Sequence, residues 1–286
     1  MPRFERSVQL VACEFLVTTD TQSIADRLDD GRPSAVQEHP VLCRHRLEAR
    51  SVSAGFLVRE NNGESTLVQS AEDAVALVDR RMHELAVAAL ADRTKLHAGC
   101  GVWFGRRFLV VGRGGAGKTT LMTRLLTEDC SVEGDELVVL RDGEAVAYPR
   151  LFGVRRLTLS LVPSVGALAP HLTTGPGSDE PGGYHVLALD PDRLRVPWRI
   201  GYGRVDVVFL LGPRHAGTTR LTRGETPAIL RRLMEQSAPP DGAPGGWVRD
   251  LSALACGAAV YDLEVGDLNS AISLMRQTVK IRSQVP

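Results

Sequence analysis

The residues with the clearest chemical potential are 112–119, Gly112-Arg113-Gly114-Gly115-Ala116-Gly117-Lys118-Thr119, which fit the pattern G-x-x-x-x-G-K-[ST]. A chain of this composition is expected to hold about 0.003 such matches by chance. Glycines let a backbone wrap tightly and turn successive N–H groups inward as a nest for an anion. A helix starting near Gly117 adds the positive end of its dipole. Lys118 is a compact point charge able to reach β- and γ-phosphates, a task the broad fork of arginine does less well. Thr119, followed by Thr120, offers a hydroxyl to Mg²⁺. Lysine is also rare here: of 34 basic residues only Lys95, Lys118 and Lys280 are lysines. The pattern predicts a phosphate loop for a nucleoside triphosphate with Mg²⁺, and no motif reads the base.

A nucleotide site that does chemistry needs a carboxylate, for the metal or for the incoming nucleophile. Asp135-Glu136 stands at the start of the apolar run Glu136-Leu137-Val138-Val139-Leu140. An acidic pair at a strand edge beside a phosphate loop suits metal binding or general-base work. Further positive charge is available from Arg113, Arg150, Arg155 and Arg156, and from Arg193, Arg195, Arg199 and Arg204 around a Pro-Trp segment.

These side chains must be held by regular elements. Residues 107–111 (RFLVV) read as a strand and TTLMTRLLTE as a helix, so the loop lies between a strand and a helix, as the motif requires. Residues 96–104 and 107–111 predict a hairpin turning at Gly105-Arg106, and Asp142-Gly143 predicts a second one between ELVVL and AVAYP. Residues 205–212 read as an apolar strand, 226–236 and 267–277 as helices. Thr226 is expected to cap the first of these, with Pro227 at its first helical position. The Pro/Gly-rich stretches 163–183 and 237–246 read as loops, the former a candidate lid. Upstream, residues 5–18 read as one strand, 22–29 as a short helix ending at Gly31, 41–48 and 53–59 as strands, and Asn61-Asn62-Gly63 as a hairpin turn into STLVQ. Ser70 and Asp73 resemble a capping box. Ala74, Val78, Met82, Leu85 and Ala89 then form an apolar stripe, expected to pack against the following domain.

The chain has 286 residues, with 34 basic and 34 acidic side chains. Zero net charge argues against a global field that would recruit nucleic acid or an anionic membrane. No stretch approaches the ~20 apolar residues of a membrane span, and the N-terminus has no signal-peptide core. Five cysteines without a C-x-x-C pair predict reduced thiols and no zinc site or disulfide framework. The expected location is the cytoplasm, with neither nucleic acid nor membrane as a partner.

The segment from Leu96 to Leu140 resembles the HPr kinase/phosphorylase family and its broader relatives. The resemblance rests on Leu96-His97, the hairpin GVWFGRRFLVV, the loop GRGGAGKT and Gly134-Asp135-Glu136 before an apolar strand. It implies an α/β fold: a phosphoenolpyruvate-carboxykinase-like P-loop core of mixed β-sheets and helices over residues 95–286, with a small N-terminal α+β domain over 1–94. It implies ATP and Mg²⁺ as cofactors. By the same carry-over, Asp135 resembles the base that accepts the substrate hydroxyl proton, His97 the histidine that assists it, and Glu136 a metal ligand beside Thr119. Gly112 to Thr120 would hold the nucleotide. Two features depart from the family pattern. Glu136 stands where an Asp is usual, and no L-x-E-I-R-G-like signature follows the catalytic strands. HPr itself is therefore not the expected substrate. The chain looks more like the small kinases of peptide natural-product pathways.

The expected activity is ATP-dependent phosphorylation of a hydroxyl, with a Ser or Thr of a peptide or protein as acceptor. A free amino acid or other small alcohol, a non-catalytic nucleotide-binding regulator, and an ordinary P-loop NTPase are the alternatives. The N-terminal domain would recognise a partner or brace the core, and the family resemblance leaves homo-oligomers open.

Overall fold

The computed structural model describes residues 3–29, 35–36, 41–61, 63–168, 173–174, 186–194, 197–213, 217–241 and 244–283. Up to Asp92, with Ala35 and Val36 set aside, they form one compact unit. Ala35–Val36 and the residues from Arg93 onward form a second.

The first unit holds β1 (Phe4–Leu10), β2 (Cys13–Thr19) and α1 (Gln22–Asp29). After β3 (Ala35–Val36), which belongs to the second unit, come β4 (Cys43–Val52), β5 (Gly55–Glu60), β6 (Ser65–Val68) and α2 (Ala71–Ala88). The sheet runs β1-β2-β4-β5-β6, with β2 and β4 parallel and the other pairs antiparallel. Residues 5–18 are thus not one strand but a hairpin. Its turn is Val11-Ala12, with Val11 at φ 50 and both residues fully buried. A β-branched residue seldom takes positive φ, so the turn carries no sequence signal. Asn61, at φ 48, does take the left-handed conformation expected before β6, while Asn62 and Gly31 lie outside the described residues.

Ser70 caps α2 by accepting from the Asp73 N–H, and its hydroxyl donates to the Asp73 carboxylate at 2.7 Å. Ala74, Val78 and Met82 are fully buried, and α2 packs on the strands of its own unit. The register of β2 and β4 sets Cys13 beside Cys43, and the two sulfurs are bonded. This corrects the expectation of five reduced thiols. The two cysteines are 30 residues apart in sequence, and only strand pairing brings them together. The thiol argument for a reducing compartment loses its premise. Cys100, Cys130 and Cys256 are free. No helix among the described residues is long and apolar enough to cross a membrane.

In the second unit the chain runs β7 (Thr94–Leu96), β8 (Ala98–Trp103), β9 (Arg106–Val111), α3 (Lys118–Leu125), β10 (Ser131–Gly134), β11 (Val138–Arg141), β12 (Glu144–Ala147), β13 (Phe152–Arg155), α4 (Arg156–Leu161), α5 (Pro163–Gly166), β14 (Thr173–Thr174) and β15 (Val186–Leu189). It continues with β16 (Arg199–Ile200), β17 (Tyr202–Arg204), β18 (Val207–Leu211), β19 (Arg220–Arg223), α6 (Thr226–Glu235), β20 (Ser237–Ala238), α7 (Pro244–Gly257), β21 (Ala259–Glu264) and α8 (Leu268–Ser283). One sheet runs β10-β8-β9-β18-β21-β19, a second β17-β12-β11-β7-β20 and a third β13-β15-β14, while β16 pairs with β3.

Both hairpin turns form, one at Phe104-Gly105 and one at Asp142-Gly143, with positive φ at all four residues. The first lies one residue earlier than expected. Glu225 rather than Thr226 is the residue before α6, and it makes no side-chain cap bond. Within the expected loop 163–183, α5 and β14 are regular, and 169–172 and 175–183 lie outside the described residues. The expected loop 237–246 gives way to β20 and the start of α7, a helix whose Pro-Gly-Gly opening hid it from pattern reading.

Alternation along β8 separates two faces of the large sheet. Gly99 lies on the face met by α3, where a Cβ would come within 2.6 Å of Met122. Cys100 lies on the other face, with Arg107 and Glu133 in a buried ion pair. The second sheet approaches there, the Arg107 Nε lying 3.8 Å from where a Gly203 Cβ would stand. The Gly201 N–H also donates to Glu133, and the Trp198 indole donates to the Glu133 carbonyl at 2.9 Å. This pair fixes β10, the strand that leads into Asp135. Glu133→Ala would leave a buried guanidinium without its counter-charge, at a cost of about 3–5 kcal/mol. The expected result is a large fall in the urea midpoint of unfolding with little change in its slope.

Candidate active site

Strand direction explains why three separated stretches meet. β9 and β10 are both antiparallel to β8, so they run parallel to each other. The start of β8 and the ends of β9 and β10 therefore share one end of the sheet. His97 immediately precedes β8, Gly112 follows β9, and Asp135 follows β10. The carboxylate pair thus lies between β10 and β11, and β10 itself escaped sequence reading because it is four residues long with Glu133 inside.

The loop after β9 has the backbone of an anion nest. Gly115 and Gly117 adopt φ of 81 and 94, left-handed conformations that favour glycine. A Cβ at Gly114, Gly115 or Gly117 would meet nothing within 4 Å, so the loop presents open space. Gly112 is different: a Cβ there would approach the Leu211 Cβ to 2.9 Å, so glycine allows β9 to leave the sheet beside β18. The Ala116 N–H bonds back to the Arg113 carbonyl at 3.1 Å. Gly117 precedes α3 and offers no side-chain cap, which leaves the first N–H groups of the helix for a ligand.

Lys118 and Asp135 are each only 6% exposed. The Lys118 Nζ lies 2.6 Å from the His97 Nε2. Burial holds the lysine below its ordinary pKa, and the negative charges of Asp135 and Glu136 oppose this. Burial, then the neighbouring ammonium, holds His97 below the usual histidine value, so its imidazole is neutral. Its ring also bonds to the Glu136 backbone. An ammonium can only donate, so Nε2 accepts from Lys118 and the neutral ring carries its proton on Nδ1. Burial pushes the Asp135 carboxyl up to about 6, against a lowering hydrogen bond from the Thr119 hydroxyl and the charge of Lys118. The structure therefore brings together His97, Lys118, Thr119 and Asp135.

The other expected site residues have further partners. Glu136 is half exposed and pairs with Arg150 at 2.9 Å. The Thr120 hydroxyl meets that of Thr158 in α4 at 2.9 Å. Arg113 pairs with Glu235 at 2.8 Å, which places the end of α6 beside the loop. Arg232 of α6 donates to the Leu211 carbonyl at 3.0 Å and pairs with Asp262. Sequence reading passed over Glu235, Arg232 and Thr158, since no local spacing links them to the loop. Arg195 lies outside the described residues.

No protein-family model and no curated protein matches the chain. Among solved structures, the HPr(Ser) kinase/phosphatase from Coxiella burnetii matches with a TM-score of 0.33 and 10% identity. The match covers 66% of this chain and 96% of that one.

The raised Asp135 pKa has a consequence for stability. Below the unfolded pKa near 3.8 the carboxyl is neutral in both states and costs nothing. Between about 3.8 and 6 the unfolded carboxyl ionises while the buried one keeps its proton, so stability falls, and above about 6 the folded state carries a desolvated charge and the loss is complete. Asp135→Asn should therefore stabilise the fold above pH 6, by up to about 3 kcal/mol at one shifted unit per 1.36 kcal/mol. The gain should vanish toward pH 4. Urea unfolding of both proteins from pH 4 to 8 measures it.

Proposed function

We propose that this chain is an ATP-dependent kinase that transfers the γ-phosphoryl group to a hydroxyl, with a Ser or Thr side chain of a peptide or protein as the favoured acceptor. The reading is supported by the motif resemblance to HPr-kinase-related proteins and by one observation above the rest. A buried carboxyl, raised to about 6, stands beside the phosphate loop and its lysine. Mere nucleotide binding needs no such base, whereas deprotonating an alcohol does, and its pKa is close to neutral as general-base catalysis favours.

The chain's residues fit Mg²⁺–ATP. The open glycine cradle and the uncapped start of α3 suit phosphate oxygens, and Lys118 adds a point charge. Thr119 donates its hydroxyl hydrogen to Asp135, which leaves its oxygen lone pairs for a metal. Glu136 stands close enough to raise the Lys118 pKa and would become a further metal ligand by leaving Arg150. When bound, Mg²⁺ neutralises charge that develops on the phosphates. Asp135 accepts the proton of the attacking hydroxyl. Neutral His97 holds the Lys118 ammonium in place through Nε2 and takes no proton while that contact lasts. The backbone amides of the loop stabilise the negative oxygens without reorganising.

Incubation with γ-labelled ATP, Mg²⁺ and peptide or small-alcohol acceptors tests this. Lys118→Ala should abolish transfer. Asp135→Asn should slow it by at least about a hundredfold while keeping most of the nucleotide affinity. Transfer at the wild-type rate by Asp135→Asn would remove the base. Nucleotide uptake without labelled product from any acceptor would favour a regulator instead.

A further inference from the structure

We infer that the first unit carries a thiol-gated metal site built from Cys13, Cys43 and His45, of a kind that suits zinc. One donor atom from each of the three residues falls within a common 4.8 Å of the others. The register explains it. Cys13 is opposite Cys43 and Phe15 is opposite His45, so the alternation of β2 and β4 places all four side chains on one face. Phe15 stacks on the imidazole with ring centroids 5.5 Å apart, which fixes the ring plane. The His45 Nδ1 is buried and has no hydrogen-bond partner, while the Glu60 carboxylate stands 3.6 Å from it. A carboxylate beside an imidazole is the usual means of setting the tautomer of a metal-binding histidine.

The donor chemistry selects the ion. Two thiolates and an imidazole favour a soft or borderline cation over Mg²⁺ or Ca²⁺. Tetrahedral zinc, with Zn–S of about 2.3 Å and Zn–N of about 2.0 Å, needs sulfurs about 3.8 Å apart and S···N spacings of about 3.5 Å. Those spacings fit within the cluster once the sulfurs separate. A fourth position stays open for water. In the structure the sulfurs are joined, which is the closed state of the gate. Opening takes two electrons and two protons from a dithiol, which is itself oxidised to a disulfide, and yields two thiols. Zinc uptake then releases both protons to solvent and leaves two thiolates on the metal. Oxidation and metal occupancy are mutually exclusive, because each uses the same sulfur electron pairs.

Cobalt(II) is the probe, since its thiolate charge-transfer band reports cysteine ligation and ignores any ion at Asp135 or Thr119. The full-length chain is reduced with a phosphine, freed of excess reductant without air, and titrated. One equivalent should develop the band, and one equivalent of Zn²⁺ should erase it. Oxidised protein should stay colourless. Cys43→Ser should lose the band. His45→Gln, which retains both thiols and the disulfide, should weaken binding by at least about tenfold. Cys256→Ser, which alters the exposed free thiol elsewhere, should bind as wild type. A reduced wild type without the band, or a band that persists unchanged in His45→Gln or in Cys43→Ser, overturns the proposal.

Discussion

The constraint on which the second unit depends is the burial of an ammonium. Lys118 sits at the mouth of a glycine loop, almost fully covered, with a neutral imidazole on one side and a carboxyl on the other. A desolvated cation is tolerated only where other groups supply the interactions that water would have made. Here those groups are the His97 nitrogen and the negative charge at Asp135 and Glu136. The same desolvation that lowers the lysine raises the aspartate, so one environment brings the two pKa values toward each other.

Everything around the cluster fixes where its members stand. β8, β9 and β10 alternate in direction, and this puts one loop and two chain ends at the same end of the sheet. Arg107 and Glu133 tie β9 to β10 from behind, and Trp198 and Gly201 bond to the same glutamate. Glycine at 112 lets the loop leave between close strands, while glycines at 115 and 117 turn it over. The ion pair Arg113–Glu235 ties the loop's exposed side to α6.

The glycine loop and its flanks were more legible in the sequence than the rest of the scaffold. The loop's shape is encoded locally, because its turns need glycine at positive φ, and such a pattern survives without tertiary context. The strand before it and the helix after it were readable for the same reason. The position of Asp135 was not, since it follows β10, a strand too short and too polar to show periodicity. Cys13 and Cys43 were misread because their partnership depends on a parallel register, which no spacing rule encodes. The β1–β2 turn was missed because Val11 and Ala12 are inside the core, so burial overrode turn chemistry. α7 opens on Pro-Gly-Gly, residues that punctuate loops, yet packs as a helix against α6 and β21.

The proposed chemistry requires the loop at 112–119 to grip a triphosphate through its amides and Lys118. Isothermal calorimetry of Mg²⁺–ATP with the full chain tests it most directly. The expected result is saturable uptake of one nucleotide per chain, lost in Lys118→Ala while the variant's circular dichroism remains that of wild type. No heat of binding with the wild type, or equal affinity in the folded alanine variant, would contradict it.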